Sequence, residues 1–78
     1  MTNHYNINLP LDTLEVDPEY SPQSHRGFSR KELFVLGWFV SHPKERTYES
    51  LARECQITTQ EGYEVIIDLL QLGVLRRR

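Results

Sequence analysis

The chain has 78 residues, of which 38% are hydrophobic and 26% charged, and its formal net charge is -2. A chain this short forms at most one domain with one small core, and this composition is typical of a globular chain rather than of a disordered or fibrous one. There is no apolar run of about 18 residues and no basic start followed by an apolar stretch, so we expect a cytoplasmic protein without a membrane span or signal peptide.

The charges are strongly segregated along the chain. Residues 1–25 carry four acids and no base, a sum of -4, whereas residues 26–46 carry five bases and two acids, a sum of +3. Residues 58–72 sum to -3 and the last six residues to +3. Such segregation predicts separate positive and negative faces, which influence association more than folding. It argues against a uniformly basic surface.

Residues 1–28 are predicted to form an N-terminal arm that is partly extended. They contain three of the four prolines and show no helical periodicity. In residues 5–11, apolar side chains alternate with polar residues or proline, which is the period-2 pattern of a strand with one apolar face. Pro10 confines such a strand to a sheet edge or ends it. Residues 15–22 are predicted to form turns.

The first helix is predicted over Arg30–Ser41. Ser29 followed three residues later by Glu32 is a capping box, and Pro43 ends the helix because the residue before a proline is pushed out of helical geometry. Residues 33–40 are apolar all round. A helix of this kind needs cover on more than one side. We expect the later helices to cover one side, and the arm or a second copy of the chain to cover the other.

A second helix is predicted to begin after the N-cap Thr47. Its buried stripe has the spacing i, i+3, i+4, i+7. That stripe consists of Tyr48, Leu51, Ala52 and Cys55. Because Cys55 is the only cysteine, an internal disulfide is excluded, and its position on the apolar face favours packing over the alternative of a reactive thiol.

A third helix is predicted to follow a turn at residues 56–57, with Ile57 directed inward. Thr58 and Glu61 form another capping box, and Gly73 is predicted to end the helix. The core face of this helix consists of Gly62, Ile66, Leu69 and Leu70. Residues 74–76 can begin a strand, and its predicted partner is the segment 5–11.

The second and third helices carry a recurring set of core and capping residues. They are the pair Leu51-Ala52, Ile57 in the turn, Thr58 as N-cap, and the closing Leu-Leu-Gln-Leu-Gly-Val of residues 69–74. With this set, residues 49–78 resemble the winged helix-turn-helix of many prokaryotic regulators and of phage and plasmid replication-initiation proteins. The resemblance implies a mostly α fold, in which residues 29–78 form a three-helix winged-helix-like domain with a short or truncated wing strand.

The same resemblance implies a DNA-binding regulatory module, in transcription or replication control, whose third helix contacts double-stranded DNA. The candidate contacts are Thr58, Thr59, Gln60, Tyr63, Lys44, Arg46, Arg76, Arg77 and Arg78. Hydroxyl and amide groups at a helix N-terminus suit bases and phosphates, and arginine suits phosphate. The alternatives are that Thr58 only caps the helix and Tyr63 only packs. For the cations, Lys44 and Arg46 pair with the acidic arm, and Arg76, Arg77 and Arg78 form a solvated basic terminus.

The exposed side of the third helix favours a different function. It carries Glu61, Glu64 and Asp68 and no base, and a duplex with one phosphate charge per ~1.7 Å of axis would repel three carboxylates. The alternative prediction is a protein-protein interaction module, in which this acidic stripe and the apolar surplus of helix one dock onto a partner such as host transcription or replication machinery. Trp38 is predicted to be a core residue, with an oligomer contact as the second interpretation.

No enzyme is predicted, because the sequence offers no nucleophile-base arrangement and no glycine-rich phosphate loop. His4, His25 and His42 lie far apart without a nearby cysteine pair, so we predict no metal site and no cofactor. A small-molecule substrate and a membrane partner are not expected either. The sequence leaves a homodimer open, and it leaves the choice between DNA and a protein target open.

Overall fold

The computed structural model describes residues 9–20 and 27–78 of the chain. In chain order, a 3-10 turn (Leu11–Thr13) is followed by β1 (Leu14–Val16), α1 (Arg30–Ser41), α2 (Tyr48–Cys55), α3 (Thr59–Leu72) and β2 (Leu75–Arg77). This is the predicted mostly α, three-helix winged-helix-like fold with a short wing strand. No helix in the described ranges is long and apolar enough to cross a membrane.

The helices begin and end where the predicted capping residues place them. Ser29 Oγ accepts from the backbone N–H of Glu32 at 3.1 Å, and the Glu32 carboxylate accepts from the N–H of Ser29 at 2.9 Å. Thr58 and Glu61 form the same reciprocal pair at the start of α3. At its end, Gly73 has φ 84°, a left-handed conformation that glycine adopts at low cost. The helix bounds predicted from these local signals are confirmed.

The tight connection between α2 and α3 creates the helix-turn-helix. Gln56 has φ 59°, and the N–H of Ile57 donates to the carbonyl of Ala52 at 3.0 Å, which closes α2. Gly62 on α3 lies against α2, since a Cβ added there would be 3.0 Å from Cδ2 of Leu51. The absence of a side chain at Gly62 therefore allows the two helices to approach closely.

The core lies where the three helices meet the small sheet. Leu51, Ile66 and Leu69 are each fully buried, and Ile57 is half-buried against them. Leu11 and Leu14, from the segment predicted to be an arm, are buried in the same cluster. Within the described part of the predicted arm, Leu9, Leu11 and Leu14 thus contribute to the same core as the helices.

The strand pairing differs from the prediction. β1 runs antiparallel to β2 with the register Leu14↔Arg77, Glu15↔Arg76 and Val16↔Leu75. The predicted partner, the segment 5–11, lies partly outside the described residues, and its described part forms no strand and ends at the start of the 3-10 turn. The turns predicted from residue 15 begin instead at Asp17, whose carbonyl accepts from the N–H of Tyr20 at 3.1 Å. A three-residue strand is too short for its alternation to be recognised in a sequence.

Candidate interaction surfaces

One side of α1 faces solvent with an apolar surface. We call it the outer face of α1 and define it by Leu33, Phe34, Gly37 and Val40. Leu33 is 54% exposed, Phe34 59% and Val40 61%. The opposite side of the helix buries Val35 and Phe39 completely. The sequence predicted that α1 would need cover on two sides, and α2 and α3 provide it on only one.

Trp38 borders the outer face but belongs to the core. Its side chain is 7% exposed, and its Nε1 donates to Oε1 of Glu54 at 3.0 Å. The His42 ring stacks on the indole with centroids 4.7 Å apart, and His42 Nε2 lies 3.2 Å from the same Glu54 oxygen. The tryptophan therefore joins the end of α1 to α2, and this burial contradicts its alternative role as a partner contact. Trp38 also lines a surface cavity of about 320 Å³ together with Phe34 and Glu54.

Cys55 lines the same cavity as a packing residue. Its Sγ lies 3.8 Å from the carbonyl oxygen of Phe34, to which the thiol donates. Burial raises the pKa of the Cys55 thiol, and the neighbouring charge of Glu54 raises it further. Since the thiolate is the reactive form, these shifts disfavour reactivity and support the packing interpretation.

Arg46 does not face solvent, so its prediction as a phosphate contact is wrong. It is 8% exposed, and its guanidinium donates to the carbonyl oxygens of Leu14 and Phe39, both at 3.2 Å, and of Leu11 at 3.4 Å. Its Cζ lies 3.6 Å from the centroid of the Phe39 ring, a cation-π contact. Burial lowers the pKa of Arg46, the charge of Arg78 lowers it further, and Asp12 opposes both. The Arg46 side chain therefore links Leu11 and Leu14 to Phe39 near the end of α1.

The Arg76 guanidinium forms ion pairs with two carboxylates, one on the opposite strand β1 and one in the turn that follows β1. Its Nε lies 2.6 Å from Oε2 of Glu15, its cross-strand partner, and its Nη1 lies 3.6 Å from Oδ1 of Asp17. The hydrogen bond to Glu15 is the main cause that raises the pKa of Arg76. Arg76 is therefore neither a free phosphate contact nor the solvated cation of the alternative interpretation. Arg77 and Arg78 are exposed at the end of β2.

The N-terminal ends of α2 and α3 lie on one side of the molecule. Thr59 lines a surface cavity of about 510 Å³ together with Thr47 and Glu49 from α2. Thr58 acts as the cap of α3, and the Tyr63 ring packs edge-on against Tyr48 with centroids 5.9 Å apart.

Three of the predicted contact residues are exposed: Thr59 and Gln60 at the start of α3, and Lys44 before α2. Thr59 and Gln60 are exposed, although Gln60 Nε2 donates to the Glu64 carboxylate at 3.3 Å. Lys44 is exposed in the loop that leads to the α2 N-cap. Seven of the nine predicted DNA contacts are therefore exposed. Of these, Thr58 caps α3 and Arg76 is bound by carboxylates, which leaves Lys44, Thr59, Gln60, Arg77 and Arg78.

The acidic stripe of α3 does not stand alone. Glu61, Glu64 and Asp68 line a groove together with Arg30 and Lys31 at the start of α1. Lys31 Nζ lies 3.4 Å from Oε2 of Glu61. The pKa of Glu61 is lowered, first by its hydrogen bond from the Thr58 backbone and then by the charge of Lys31. The groove therefore pairs acids with bases, which the segregation of charge along the chain could not reveal.

Comparisons of the chain with protein-family models, with curated proteins and with solved structures found no significant match. The winged helix-turn-helix resemblance consequently depends on the capping and core residues described above. A fold of this kind serves several functions, so the function has to be argued from the surfaces.

Proposed function

We propose that the chain is a protein-protein interaction module that uses a winged-helix scaffold and docks its partner on the outer face of α1. The observation that carries the proposal is the exposure of Leu33, Phe34 and Val40, each more than half accessible, on one side of one helix. Single exposed apolar residues are ordinary, whereas a contiguous group of large ones marks an interaction surface. Burying apolar area is worth about 25 cal/mol per Å², so this face gains from being covered.

The charges support a protein partner over nucleic acid. Residues 58–72 sum to -3, and two of the five cations predicted to meet phosphate are engaged elsewhere: Arg46 in the core and Arg76 with two carboxylates. A surface that binds duplex DNA needs several free cations, because phosphate neutralisation supplies most of the affinity. In contrast, an apolar helix face with charges at its margins is the usual form of a protein interface.

A photo-reactive residue in place of Val40 tests this proposal in the cells that make the chain. We expect a covalent adduct with a protein, and we expect Phe34→Asp to abolish it because a buried charge opposes docking. The matched control carries the same photo-reactive residue in place of Val16, an exposed valine on β1 that is 38% accessible. Equal adducts from both positions, or none from position 40, would overturn the proposal.

Duplex DNA is the second candidate, favoured by one observation. The hydroxyl-capped N-termini of α2 and α3 share a surface cavity, and helix N-termini attract phosphate. A titration of labelled duplex at low salt, comparing the chain with Thr59→Ala and Lys44→Ala variants, tests it. Weaker binding by both variants and a steep loss of affinity with salt are expected if DNA binds there. Salt-insensitive or undetectable binding would exclude it.

A further inference from the structure

A carboxylate on α2 beside the outer face of α1 is fixed in its orientation. Oε1 of Glu54 accepts from Nε1 of Trp38 at 3.0 Å, and Nε2 of His42 lies 3.2 Å from the same oxygen. The other oxygen, Oε2, forms no hydrogen bond or ion pair with any residue in the described ranges, and the Glu54 side chain is 44% exposed. Oε2 is therefore an accessible acceptor whose position is set by contacts on the opposite oxygen.

Glu54 lines the cavity of about 320 Å³ that also contains Phe34, Trp38, Cys55 and Gln56. We call it the Glu54 cavity. Because the pKa of the Cys55 thiol is raised, the thiol is neutral at neutral pH. Glu54 is thus the only lining residue with a formal charge. Pockets for whole small molecules begin at about 300 Å³, so the size of this cavity suits a single side chain.

We propose that the Glu54 cavity binds a lysine side chain of the partner protein that docks on the outer face of α1. This inference rests on the proposed function and adds the chemistry of the partner. A lysine packs its aliphatic stem on apolar surface and keeps its charged head at a polar margin. In the cavity the stem lies against the Phe34 ring, which also attracts a cation, and the head meets Oε2 of Glu54.

The need to compensate the carboxylate requires a cation from the partner. A partner that covers the outer face also covers this cavity, because Phe34 belongs to both. Covering an ionised carboxylate without supplying a donor is costly. Among the described residues no base of the chain itself meets this need, since Arg53 Nη2 donates to Ser50 and Lys31 pairs with Glu61.

The geometry of the carboxylate favours lysine over arginine. An arginine binds a carboxylate best through two parallel hydrogen bonds, one to each oxygen. That arrangement is obstructed at Glu54, because Trp38 and His42 already approach Oε1. The lysine ammonium is a compact point charge with rotatable donors, so a single oxygen is enough for it.

Blocked amino acids test this chemistry on the full chain. The chain has one tryptophan, so its indole N–H resonance in NMR spectra reports on the cavity. N-acetyl-lysine methylamide should shift that resonance with a dissociation constant on the order of 1 mM, as expected for so small a ligand. The norleucine analogue, which has an apolar side chain and no ammonium, should bind at least ~10-fold more weakly. The arginine analogue should also bind more weakly than lysine.

Three results would overturn the inference. They are equal binding of the norleucine analogue, tighter binding of the arginine analogue, and no shift with the lysine analogue up to about 10 mM.

Two variants assign the binding to the cavity. Glu54→Gln keeps an oxygen that can accept from Trp38 and removes the charge, so it should weaken binding of the lysine analogue at least ~10-fold. Glu49→Gln is the matched control, because Glu49 is an exposed acid on the same helix that lines a different cavity, and it should leave binding unchanged. Phe34→Leu leaves the contacts of Glu54 in place and should weaken binding about threefold.

Thermal melts establish that each variant is folded. Full affinity in folded Glu54→Gln contradicts the inference, and so does an equal loss in Glu49→Gln. Should Glu54→Gln fail to fold, full affinity in Phe34→Leu contradicts the inference in the same way.

The two proposals can fail separately. In the photo-adduct experiment, Glu54→Lys should reduce the position-40 adduct at least ~10-fold by like-charge repulsion, and Glu49→Lys should leave it unchanged. An undiminished adduct with Glu54→Lys contradicts the lysine and supports the docking function. Binding of the lysine analogue through Glu54 without any position-40 adduct supports the selectivity of the cavity and contradicts the docking function.

Discussion

Arg46 has a different role in the structure from the one that its sequence context predicts. In the sequence it belongs to a basic group, Lys44-Glu45-Arg46, before a helix that commonly flanks DNA. In the fold its guanidinium faces the protein interior, because it donates hydrogen bonds to three backbone carbonyl oxygens. Two of those carbonyls lie 32 and 35 residues away along the chain. No local pattern could have revealed that pairing.

Truncating this side chain should destabilise the protein. Arg46→Ala removes the side-chain donor to the buried carbonyl of Leu14 and one of the two donors to the carbonyl of Phe39, which keeps the N–H of His42. The change should cost about 1 to 3 kcal/mol of unfolding free energy. Arg53→Ala is the matched control, because Arg53 is an exposed arginine that bonds only to Ser50, and it should cost less than about 0.5 kcal/mol. Urea denaturation measures both. Equal costs at the two positions would contradict the inward role of Arg46.

The cap of α3 should make stability depend on pH. The folded pKa of Glu61 lies below its usual 4.5 because of Thr58 and Lys31. A lowered carboxylate pKa stabilises the fold above the unfolded pKa, and this contribution is lost as pH falls through the folded value. Glu61→Gln keeps the capping geometry without the charge, so it should unfold more easily than the natural chain at pH 7 and equally easily near pH 2.

Thermal melts from pH 2 to pH 7 check this difference. Glu64→Gln is the control, because Glu64 is an exposed neighbour on the same helix that does not cap it. The difference in melting temperature between Glu64→Gln and the natural chain should change less with pH than the difference for Glu61→Gln. A Glu61→Gln variant whose deficit persists at pH 2 would exclude the charge as the cause.

At the scale of elements, the two helical glycines should respond oppositely to the same change. Gly62→Ala puts a Cβ 3.0 Å from Cδ2 of Leu51, and that leucine is fully buried and has little room to move. We expect a net loss of about 0.5 to 2 kcal/mol despite the better helix propensity of alanine. Gly37→Ala should gain about 1 kcal/mol, because the added Cβ meets no described atom within 4 Å.

Urea titrations at low micromolar protein concentration compare the free energies of unfolding of the two variants. The contrast isolates packing, since both glycines lie inside helices. Equal shifts would mean that the space around each glycine does not matter.

The three helices could be predicted because their signals are local. Ser29 with Glu32 and Thr58 with Glu61 lie one turn apart, Pro43 follows the end of α1, and Gly73 ends α3. For α2 the local signals are the N-cap Thr47 and the spacing of its apolar stripe. β1 could not be predicted, because its only determinant is pairing with β2, about 60 residues later in the chain.

For the candidate site, the surplus of apolar residues in α1 was visible in the sequence. The engagement of Arg76, Lys31 and Trp38 was not, since each partner comes from another element.

At the scale of the whole molecule, residues 9–16 and the three helices share one hydrophobic core. Leu11 and Leu14 are buried with the helices, and β1 provides the described partner of β2. A fragment of residues 29–78, the domain predicted from the sequence, should therefore lose cooperative unfolding. A fragment of residues 9–78 retains both leucines and β1 and should keep it. Circular dichroism during heating distinguishes them, and a cooperative melt of the shorter fragment would restore the arm-and-domain division.

The Arg46 contacts also bear on the order in which the chain folds. They join residues 11, 14 and 39 to residue 46, and β1 closes on β2 over a still longer loop. Closing long loops costs entropy before any contact repays it, so the short α2–α3 hairpin has the advantage of forming early. We therefore expect residues 9–16 to attach after the rate-limiting step, so that Arg46→Ala accelerates unfolding while leaving the rate of folding nearly constant.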